Sequence, residues 1–299
     1  MVERLRHAGY EVLVTSRQAA PDVVRVCDLL QPRQLDELLA DCQPDWVLSF
    51  AGIPRHDPDG AVKLHSNGTG HLLEATARHC PQARIILMGS AAEYGRVPEG
   101  RLPIREDFPP GPNSPLGQSK LAQTQIAQIA AIHWGLDIVS LRPFNIVGPG
   151  QPAHYLAGAL IRRLVALRNA GRNEPISVAS GDSTRDFIDV RDVADAIVSV
   201  VRGLPAETGR LRVFNVSTGQ ETSVRQLAKQ ICALAGGYEL IDAQIPSSGG
   251  EIDRSCGDSR KLEDAVGWRA LTGWRESLSD AWRETIADFE LTTTYRPAA

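Results

Sequence analysis

The sequence predicts an α/β fold: a doubly wound parallel sheet followed by a smaller C-terminal lobe. Short apolar runs of strand length alternate with helical patterns through the first half of the 299 residues, and this alternation is typical of a parallel sheet. The apolar content is ample for a core of this size. Beyond about residue 150 the spacing of the elements is less regular. We therefore place a first domain at 1–150 and a smaller lobe mostly at 151–299, partly interleaved with it.

The local pattern justifies the elements in chain order. A helix occupies the N-terminus and stops at Gly9, and the next begins near Pro32, a residue favoured in the first helical turn. A further helix opens at Ser114-Pro115. The predicted strands are 10–16, 23–29, 45–52, 83–90 and 136–143, and the other helices are 32–42, 66–79 and 155–169.

The residues that follow each strand are the candidates for a binding site, because a doubly wound sheet binds its ligands at the carboxyl ends of its strands. In chain order they are Ser16, Arg17, Asp28, Leu29, Ala51, Gly52, Ser90, Pro143 and Asn145. The pattern predicts a crevice suited to a nucleotide and does not identify the ligand.

Composition narrows the range of partners. The net charge of -4 argues against nucleic acid or an anionic membrane surface as the main partner. No apolar run approaches the roughly 18 residues of a membrane span, and the first residues lack the apolar region of a secretory signal. The five cysteines are scattered, which favours reduced thiols. No His/Cys cluster has metal-ligand spacing. We expect a cytoplasmic protein without a metal.

Seven segments, in order over nearly the whole chain, resemble the extended short-chain dehydrogenases that act on nucleotide sugars, the NAD-dependent epimerase/dehydratase family. They are S-N-G-T-G-H-L-L-E-A (66–75), M-G-S-A-A-E-Y-G (88–95), N-S-P-L-G-Q-S-K (113–120), L-R-P-F-N-I-V-G-P-G-Q (141–151), T-R-D-F-I-D-V-R-D-V (184–193), F-N-V-S-T-G-Q (214–220) and D-S-R-K-L-E-D-A-V-G-W (258–268). They are most similar to the GDP-4-dehydro-6-deoxymannose reductase branch. The resemblance implies a Rossmann-like dinucleotide-binding domain at 1–150, a substrate lobe after it, NADP or NAD as cofactor, and a nucleotide sugar as the small-molecule substrate.

The sequence departs from the family pattern in two places. The family opens with a strand and a Gly-rich turn, G-x-x-G-x-x-G, that bind the pyrophosphate, whereas this sequence begins inside the helix that follows them. A shortened gene model and a natural deletion are both open; a real deletion should weaken dinucleotide binding and leave a gap in the sheet. In the family a tyrosine four residues before Lys120 transfers the proton, and here that residue is Leu116. A hydrocarbon side chain cannot transfer a proton.

The resemblance implies a role for each remaining site residue. For catalysis it points to Ser90 as a hydrogen-bonding partner of the substrate oxygen and to Lys120 as a contact of the nicotinamide ribose, with Glu93 a substitute base only if it points into the cleft. The implied cofactor-binding residues are Ser16, Arg17, Asp28, Leu29, Ala51, Gly52, Asn67, Lys120 and Pro143, and the implied substrate-binding residues are Asn145, Arg185 and Arg254. An arginine after the first predicted strand, with no acid beside it, favours NADP.

Three functions remain open at this point. The first is an NAD(P)-dependent nucleotide-sugar epimerase, dehydratase or reductase in which another group takes the tyrosine's role. The second is a repurposed biosynthetic enzyme without redox chemistry, a lyase, cyclase or isomerase, and the third is a non-catalytic binding subunit. Many members of the family dimerise through two helices beside the cleft. We therefore expect a homodimer with a four-helix interface around 66–79 and 115–134.

Overall fold

The computed structural model describes residues 1–52, 57–243 and 252–294. In chain order its elements are α1 (Val2–His7), β1 (Thr15–Ser16), β2 (Arg25–Val26), α2 (Pro32–Cys42), β3 (Trp46–Ser49), α3 (Pro58–Lys63), a π-helical turn (Leu64–Gly68), α4 (Thr69–His79), β4 (Arg84–Met88), α5 (Pro115–Trp134), β5 (Asp137–Pro143), β6 (Asn145–Val147), α6 (Leu156–Asn169), β7 (Ile176–Val178), β8 (Thr184–Arg185), β9 (Phe187–Asp189), α7 (Val190–Gly203), β10 (Arg210–Val216), β11 (Thr222–Ser223), α8 (Val224–Leu234), β12 (Leu240–Asp242), α9 (Arg260–Val266) and α10 (Trp274–Thr294).

The main sheet has four parallel strands in the order β10-β5-β4-β3, and it is covered by helices on both faces. Successive side chains of β4 point to opposite faces. Ile85 packs on the side of α4 and α5 with Leu73 and Ala127. Ile86 packs on the opposite side with Leu5 and Val200, from α1 and α7. This alternation confirms the predicted doubly wound α/β fold.

Strands β1 and β2 form a separate two-stranded parallel sheet. Among the described residues, β1 pairs only with β2, and β3 pairs only with β4. Each of β1 and β3 therefore has one edge without a strand partner in the described part of the chain. The two strands are also shorter than the predicted 10–16 and 23–29, because a strand extends only as far as it has a partner.

The helices agree closely with the prediction. The helix predicted over 32–42 is observed at the same bounds, and the helix predicted to open at Ser114-Pro115 begins at Pro115 with Ser114 as its N-cap. The predicted 66–79 helix starts two residues earlier, as the π-helical turn, and α3 before it was not predicted.

A second hydrophobic core lies between α6, α8 and α10. Leu164, Leu227 and Leu278 are fully buried there. Although β10 and α7 come after residue 150, they belong to the main sheet and its covering layer. The division of the chain at residue 150 stays a prediction.

Candidate active site at the ends of the parallel strands

Three parallel strands bring four of the predicted site residues to one edge of the main sheet. Ala51 and Gly52 follow β3, Ser90 follows β4, and Pro143 ends β5, so these residues lie where three adjacent parallel strands end. Ser16 ends β1 in the separate sheet. The ends of β3, β4 and β5 therefore form a common edge, and a ligand-binding crevice there stays a prediction.

Lys120 is the central charged residue of this edge. Its side chain extends from α5 to the end of β4, where Nζ donates to the Met88 carbonyl at 2.6 Å and to Gln123 Oε1 at 2.9 Å. It is only 7% exposed. Burial lowers the pKa of Lys120 to about 8, although the carboxylate of Glu93 opposes this effect. An ammonium has three N–H donors, and the described residues provide acceptors for two of them.

The first turn of α5 is held against the segment that follows β4. Ser114 caps the helix by accepting a hydrogen bond from Gly117 N at 3.1 Å. A Cβ on Gly117 would lie 2.3 Å from the carbonyl oxygen of Ala92, so only glycine permits this approach. Leu116 lies in the same turn and is half-buried. The turn that contains Leu116 is thus held against the Ala92 carbonyl, two residues after Ser90, and the hydrocarbon side chain of Leu116 cannot transfer a proton.

His65 is a site residue that the sequence analysis missed. It lies in the π-helical turn and is 1% exposed. Its Nδ1 is 2.9 Å from Ser119 Oγ, one residue before Lys120. Burial, and next the charge of Lys120, lower the pKa of His65 to about 4. Single π-helical turns occur frequently at functional sites, but no pattern in one sequence distinguishes such a turn from an ordinary helix start.

Ser90 lies where the sequence placed it, and Glu93 does not take the role considered for it. The Ser90 hydroxyl accepts a hydrogen bond from Ala92 N and is half-buried, so it still has a proton to donate. Glu93 is fully buried and points away from the cleft. Its Oε1 accepts from Ser90 N at 2.9 Å, and its Oε2 accepts from Thr124 Oγ1 and Arg142 Nη2. Glu93 is therefore a structural carboxylate that fixes the turn carrying Ser90.

The predicted cofactor-binding residues differ in their exposure and in whether they already have hydrogen-bond or ion-pair partners. Arg17 is exposed and has no ion-pair partner in the described part of the chain. Asp28 Oδ1 accepts a hydrogen bond from Leu30 N at 2.9 Å, which makes it a turn cap before α2. Leu29 is half-buried, and its carbonyl oxygen contacts His71 Nδ1.

Asn67 lies in the π-helical turn, and its role as a cofactor contact stays a prediction. Its side chain is exposed and accepts a hydrogen bond from Ser66 Oγ. The π-helical turn instead directs His65, two residues earlier, inwards.

The three predicted substrate-binding residues lie around β6, β8 and the segment after residue 252. Asn145 is exposed and begins β6, two residues after the end of β5. Arg185 donates to the Thr184 carbonyl at 2.7 Å. Arg254 pairs with Glu221 and with Glu99. The guanidinium group of Arg254 is therefore already paired with two carboxylates. A pyrophosphate could bind Arg254 only by displacing those carboxylates.

Among the described residues there is no group of three or more His, Cys, Asp and Glu side chains arranged to hold a metal ion. No helix in the same part of the chain is both long enough and apolar enough to cross a membrane.

Two curated relatives cover most of the chain. GDP-6-deoxy-D-mannose reductase from Pseudomonas aeruginosa is 31% identical over 274 residues, which are 88% of this chain and 86% of that protein. UDP-glucose 4-epimerase from Bacillus subtilis is 30% identical over 319 aligned positions, covering 93% of this chain and 91% of that protein. The two relatives are similar to this chain at about the same level.

Solved structures show the same fold. RMD from Pseudomonas aeruginosa in complex with NADPH superposes with a TM-score of 0.81 at 28% identity, over 96% of each chain. UDP-glucose 4-epimerase from Thermus thermophilus in complex with NAD gives a TM-score of 0.80 at 26% identity, over 95% of this chain and 94% of that one. The profile of the NAD dependent epimerase/dehydratase family matches residues 1–217. The chain therefore belongs to the NAD-dependent epimerase/dehydratase family of enzymes.

Proposed function

We propose that this protein is an NAD(P)-dependent enzyme that reduces, oxidises or epimerises a nucleotide sugar at the common edge of its parallel strands. The observation that carries the proposal is the buried Lys120 ammonium at the end of β4, in a chain that belongs to this family. The relatives support the substrate class, because their names describe a reductase of a GDP-sugar and an epimerase of a UDP-sugar.

The residues of the site fit a polar ligand of the dinucleotide class. Lys120 Nζ has a third N–H donor for which the described residues provide no acceptor. His65 Nε2 is buried and has no hydrogen-bond partner among the described residues. A polar ligand could satisfy both atoms. The solved relatives hold NADPH in one case and NAD in the other. A dinucleotide would supply the hydride chemistry, and this chain's residues would bind and orient it.

We propose NADP rather than NAD as the preferred cofactor. Arg17 follows β1, is exposed and has no described carboxylate partner, so its guanidinium is free to pair with a 2′-phosphate, which it can bind with two parallel hydrogen bonds. Titration of the purified protein with NADPH and NADH, followed by fluorescence or calorimetry, tests this directly. We expect Arg17→Gln to weaken NADPH binding about tenfold and to leave NADH binding unchanged.

A matched control is Arg162→Gln, which removes an exposed arginine of α6, outside the site. It should leave both affinities unchanged. Equal losses of NADPH and NADH affinity in Arg17→Gln would show that Arg17 contacts a part common to both dinucleotides. Failure of the intact protein to bind either dinucleotide would contradict the proposed function and favour an enzyme without redox chemistry or a binding subunit.

The proton in this reaction must come from a group other than residue 116. Leu116 has no exchangeable proton, and Glu93 is held in the core. Ser90 and Lys120 remain, both at the end of β4, and a lysine with a pKa near 8 is suited to proton transfer at neutral pH. We infer that these two residues together provide the proton, at a lower rate than a phenol beside a lysine would give.

Restoring the phenol tests this inference. With a GDP- or dTDP-4-keto sugar and NADPH, we expect Leu116→Tyr to raise kcat by about 100-fold, the lower end of what one positioned acid contributes. Leu116→Phe adds a ring of similar size without the hydroxyl and should give no such gain. Equal rates in all three proteins would show that proton transfer does not limit turnover.

We also propose a homodimer. One face of α5 has no charged side chain: it presents Gln118, Ala122, Gln125, Ile129 and Ile132, and the two isoleucines are each 67% exposed. Large exposed apolar side chains at helical spacing mark an association surface more often than a free surface. The second copy is the occupant that we propose, since the same face meets itself across a two-fold axis. For location we propose the cytoplasm, supported by five cysteines that are all free thiols.

A further inference from the structure

The buried ammonium of Lys120 is held by two neutral acceptors. Nζ donates to the Met88 carbonyl at 2.6 Å and to Oε1 of Gln123 at 2.9 Å. Lys120 and Gln123 are 7% and 3% exposed. A buried charge is normally paired with an opposite charge, because removing a charge from water is expensive. Among the described residues, no carboxylate forms a hydrogen bond with this ammonium.

Gln123 is fixed on its other side by α4. Its Nε2 donates to Thr69 Oγ1 at 3.4 Å, and Thr69 is 3% exposed. The cation defines the orientation of the amide, because only the amide oxygen can accept a hydrogen bond from an ammonium. Lys120 and Gln123 are three residues apart in α5, so their side chains are neighbours on the helix surface. Nζ is therefore held between β4 and α5 and, through Gln123, is connected to α4.

This arrangement satisfies the amine in both of its protonation states. An ammonium has three N–H groups, whereas a neutral amine has two N–H groups and a lone pair. The Met88 carbonyl and Gln123 Oε1 accept two N–H groups in either state. The two states differ only at the third position, which carries a proton in the ammonium and the lone pair in the amine. Lys120 can therefore release or accept a proton without losing either hydrogen bond.

We propose that Gln123 is a positioning residue for proton transfer by Lys120: its amide oxygen fixes Nζ and, because it carries no negative charge, it lets the ammonium release its third proton. This inference rests on the proposed function, in which Lys120 supplies the proton. In the transfer the third N–H bond breaks, its electron pair stays on Nζ as the lone pair, and the proton forms an O–H bond with the substrate oxygen.

The charged groups around Lys120 agree with this role. Burial lowers the pKa of Lys120 to about 8, and the charge of Glu93, in the turn after β4, opposes this effect. Glu93 is itself paired with Arg142 of β5. In the π-helical turn, burial and then the charge of Lys120 lower the pKa of His65 to about 4, although a hydrogen bond to the Ala51 backbone raises it. His65 is therefore neutral at pH 7, and it adds no charge beside the ammonium.

NMR of lysine side chains tests the proposal with neither substrate nor dinucleotide present. The sequence has only four lysines, Lys63, Lys120, Lys229 and Lys261, and Lys120→Arg identifies the resonance of Lys120 among them. The ¹³Cε and ¹⁵Nζ shifts change when the ammonium loses its proton, so a pH titration measures the pKa directly. In the intact protein we expect a pKa near 8 for Lys120, well below the usual value of about 10.4.

Two substitutions of Gln123 should move this pKa in opposite directions. Gln123→Glu places a carboxylate beside the ammonium without changing the length of the side chain, and it should raise the pKa of Lys120 by about 1–3 units. Gln123→Met has a similar length but no oxygen, so the ammonium loses an acceptor and the pKa should fall by about one unit. Gln128→Glu is the matched control. It adds the same charge at an exposed position of α5, about 12 Å along the helix, and should leave the pKa nearly unchanged.

The titrations can contradict the proposal in two ways. A Lys120 pKa that is the same in the intact protein and in the Gln123 variants would overturn it, and so would a pKa of about 10.4 in the intact protein. Gln123→Met brings no charge into the core, so it decides the question by itself if Gln123→Glu does not fold.

The pH profile of turnover provides a second readout, which a merely structural role of Gln123 would not move. In the reducing direction kcat should fall as Lys120 loses its proton, near pH 8 in the intact protein. Gln123→Glu should move this fall to higher pH and lower kcat at pH 7 about tenfold, because a weaker acid donates its proton more slowly. KM should stay unchanged. A fall that stays at the same pH in Gln123→Glu would overturn the proposal.

Failure of the proposed function gives a different result. The intact protein would then turn over no GDP- or dTDP-4-keto sugar with NADPH at any pH. The NMR titration would still decide whether Gln123 sets the protonation of Lys120, because it needs no turnover.

Discussion

Glu93 and Arg142 form an ion pair that is almost completely withdrawn from water. Their side chains are 0% and 3% exposed, and the atoms Oε2 and Nη2 are 2.7 Å apart. The guanidinium also lies 4.8 Å from the ring centroid of Tyr94, which donates a hydrogen bond to Asn215 at 2.7 Å. The pair connects β5 to the turn that carries Ser90, and so it positions one side of the site.

Removing the charge of Glu93 should be costly. Glu93→Gln leaves the Arg142 guanidinium buried without a counter-charge, and such a change destabilises proteins by about 3–5 kcal/mol. The free energy of unfolding in urea at pH 7 measures this. Glu74→Gln is a matched control, since it breaks an exposed ion pair with Arg78 and should cost less than about 1 kcal/mol. Similar losses in both variants would contradict the structural role of Glu93.

His65 should make stability depend on pH in the mildly acidic range. Its folded-state pKa is lowered to about 4 from the usual 6.5, so the unfolded chain binds a proton at a higher pH than the folded protein does. The contribution of His65 to stability is complete above pH 6.5 and is lost as the pH falls from 6.5 to 4, by roughly 3 kcal/mol at most.

The measurement for this prediction compares urea unfolding at pH 7 and pH 4.5 in the intact protein and in His65→Asn. Asparagine does not titrate, so the variant should lose less stability between the two pH values. Equal losses in the two proteins would show that other groups cause the pH dependence.

At this scale Ser90 and Lys120 lie at the end of β4, where recognisable segments of the sequence led us to look, and their roles stay predictions. The sequence could not predict His65 or the fate of Glu93. Which way those side chains point depends on a π-helical turn and on a buried arginine from β5, and neither follows from local spacing.

At the scale of an element, α5 owes its position to a glycine. A Cβ at Gly117 would meet the Ala92 carbonyl oxygen at 2.3 Å, and backbone cannot move aside as a flexible side chain can. Gly70 in α4 has no atom within 4 Å of its ideal Cβ. The two helical glycines therefore lie in opposite environments.

We expect opposite effects from the two alanine substitutions. Gly70→Ala should stabilise the protein by about 0.5–1 kcal/mol, because alanine is the better helix former and fits the open space. Gly117→Ala should destabilise it by about 1–3 kcal/mol and should move Lys120 away from Met88, since α5 must shift. Thermal unfolding measures both. A Gly117→Ala protein as stable as Gly70→Ala would show that α5 is not held by this contact.

Sequence patterns predicted the helices better than the first two strands. The bounds of α2 depend on a proline in its first turn and an apolar stripe, both local features. The extents of β1 and β2 depend on partners elsewhere in the sheet, so their predicted lengths of seven residues exceeded the two paired residues observed in each.

At the scale of the whole molecule, the uncharged face of α5 sets the expected assembly. We expect sedimentation or light scattering to show that the protein is a dimer. The double variant Ile129→Arg/Ile132→Arg should be a monomer, because it would place four like charges in the buried interface. Leu271→Arg is the control, since Leu271 is 88% exposed but lies between α9 and α10. A monomeric parent protein, or a double variant that stays dimeric, would contradict this interface.

The separation of β1–β2 from the four-stranded sheet has a consequence for how the molecule opens. The small sheet has two residue pairs, and Val24 and Val26 are 67% and 50% exposed, whereas Ile85, Ile86 and Leu87 of β4 are almost fully covered. Regions with few buried contacts open locally at low free energy. In a hydrogen–deuterium exchange experiment, the backbone amides of residues 15–27 should therefore exchange rapidly, through local opening. The amides of residues 84–88 should exchange much more slowly, only through global unfolding. The molecule would then consist of two cooperative units, and equal protection of the two segments would show that there is only one.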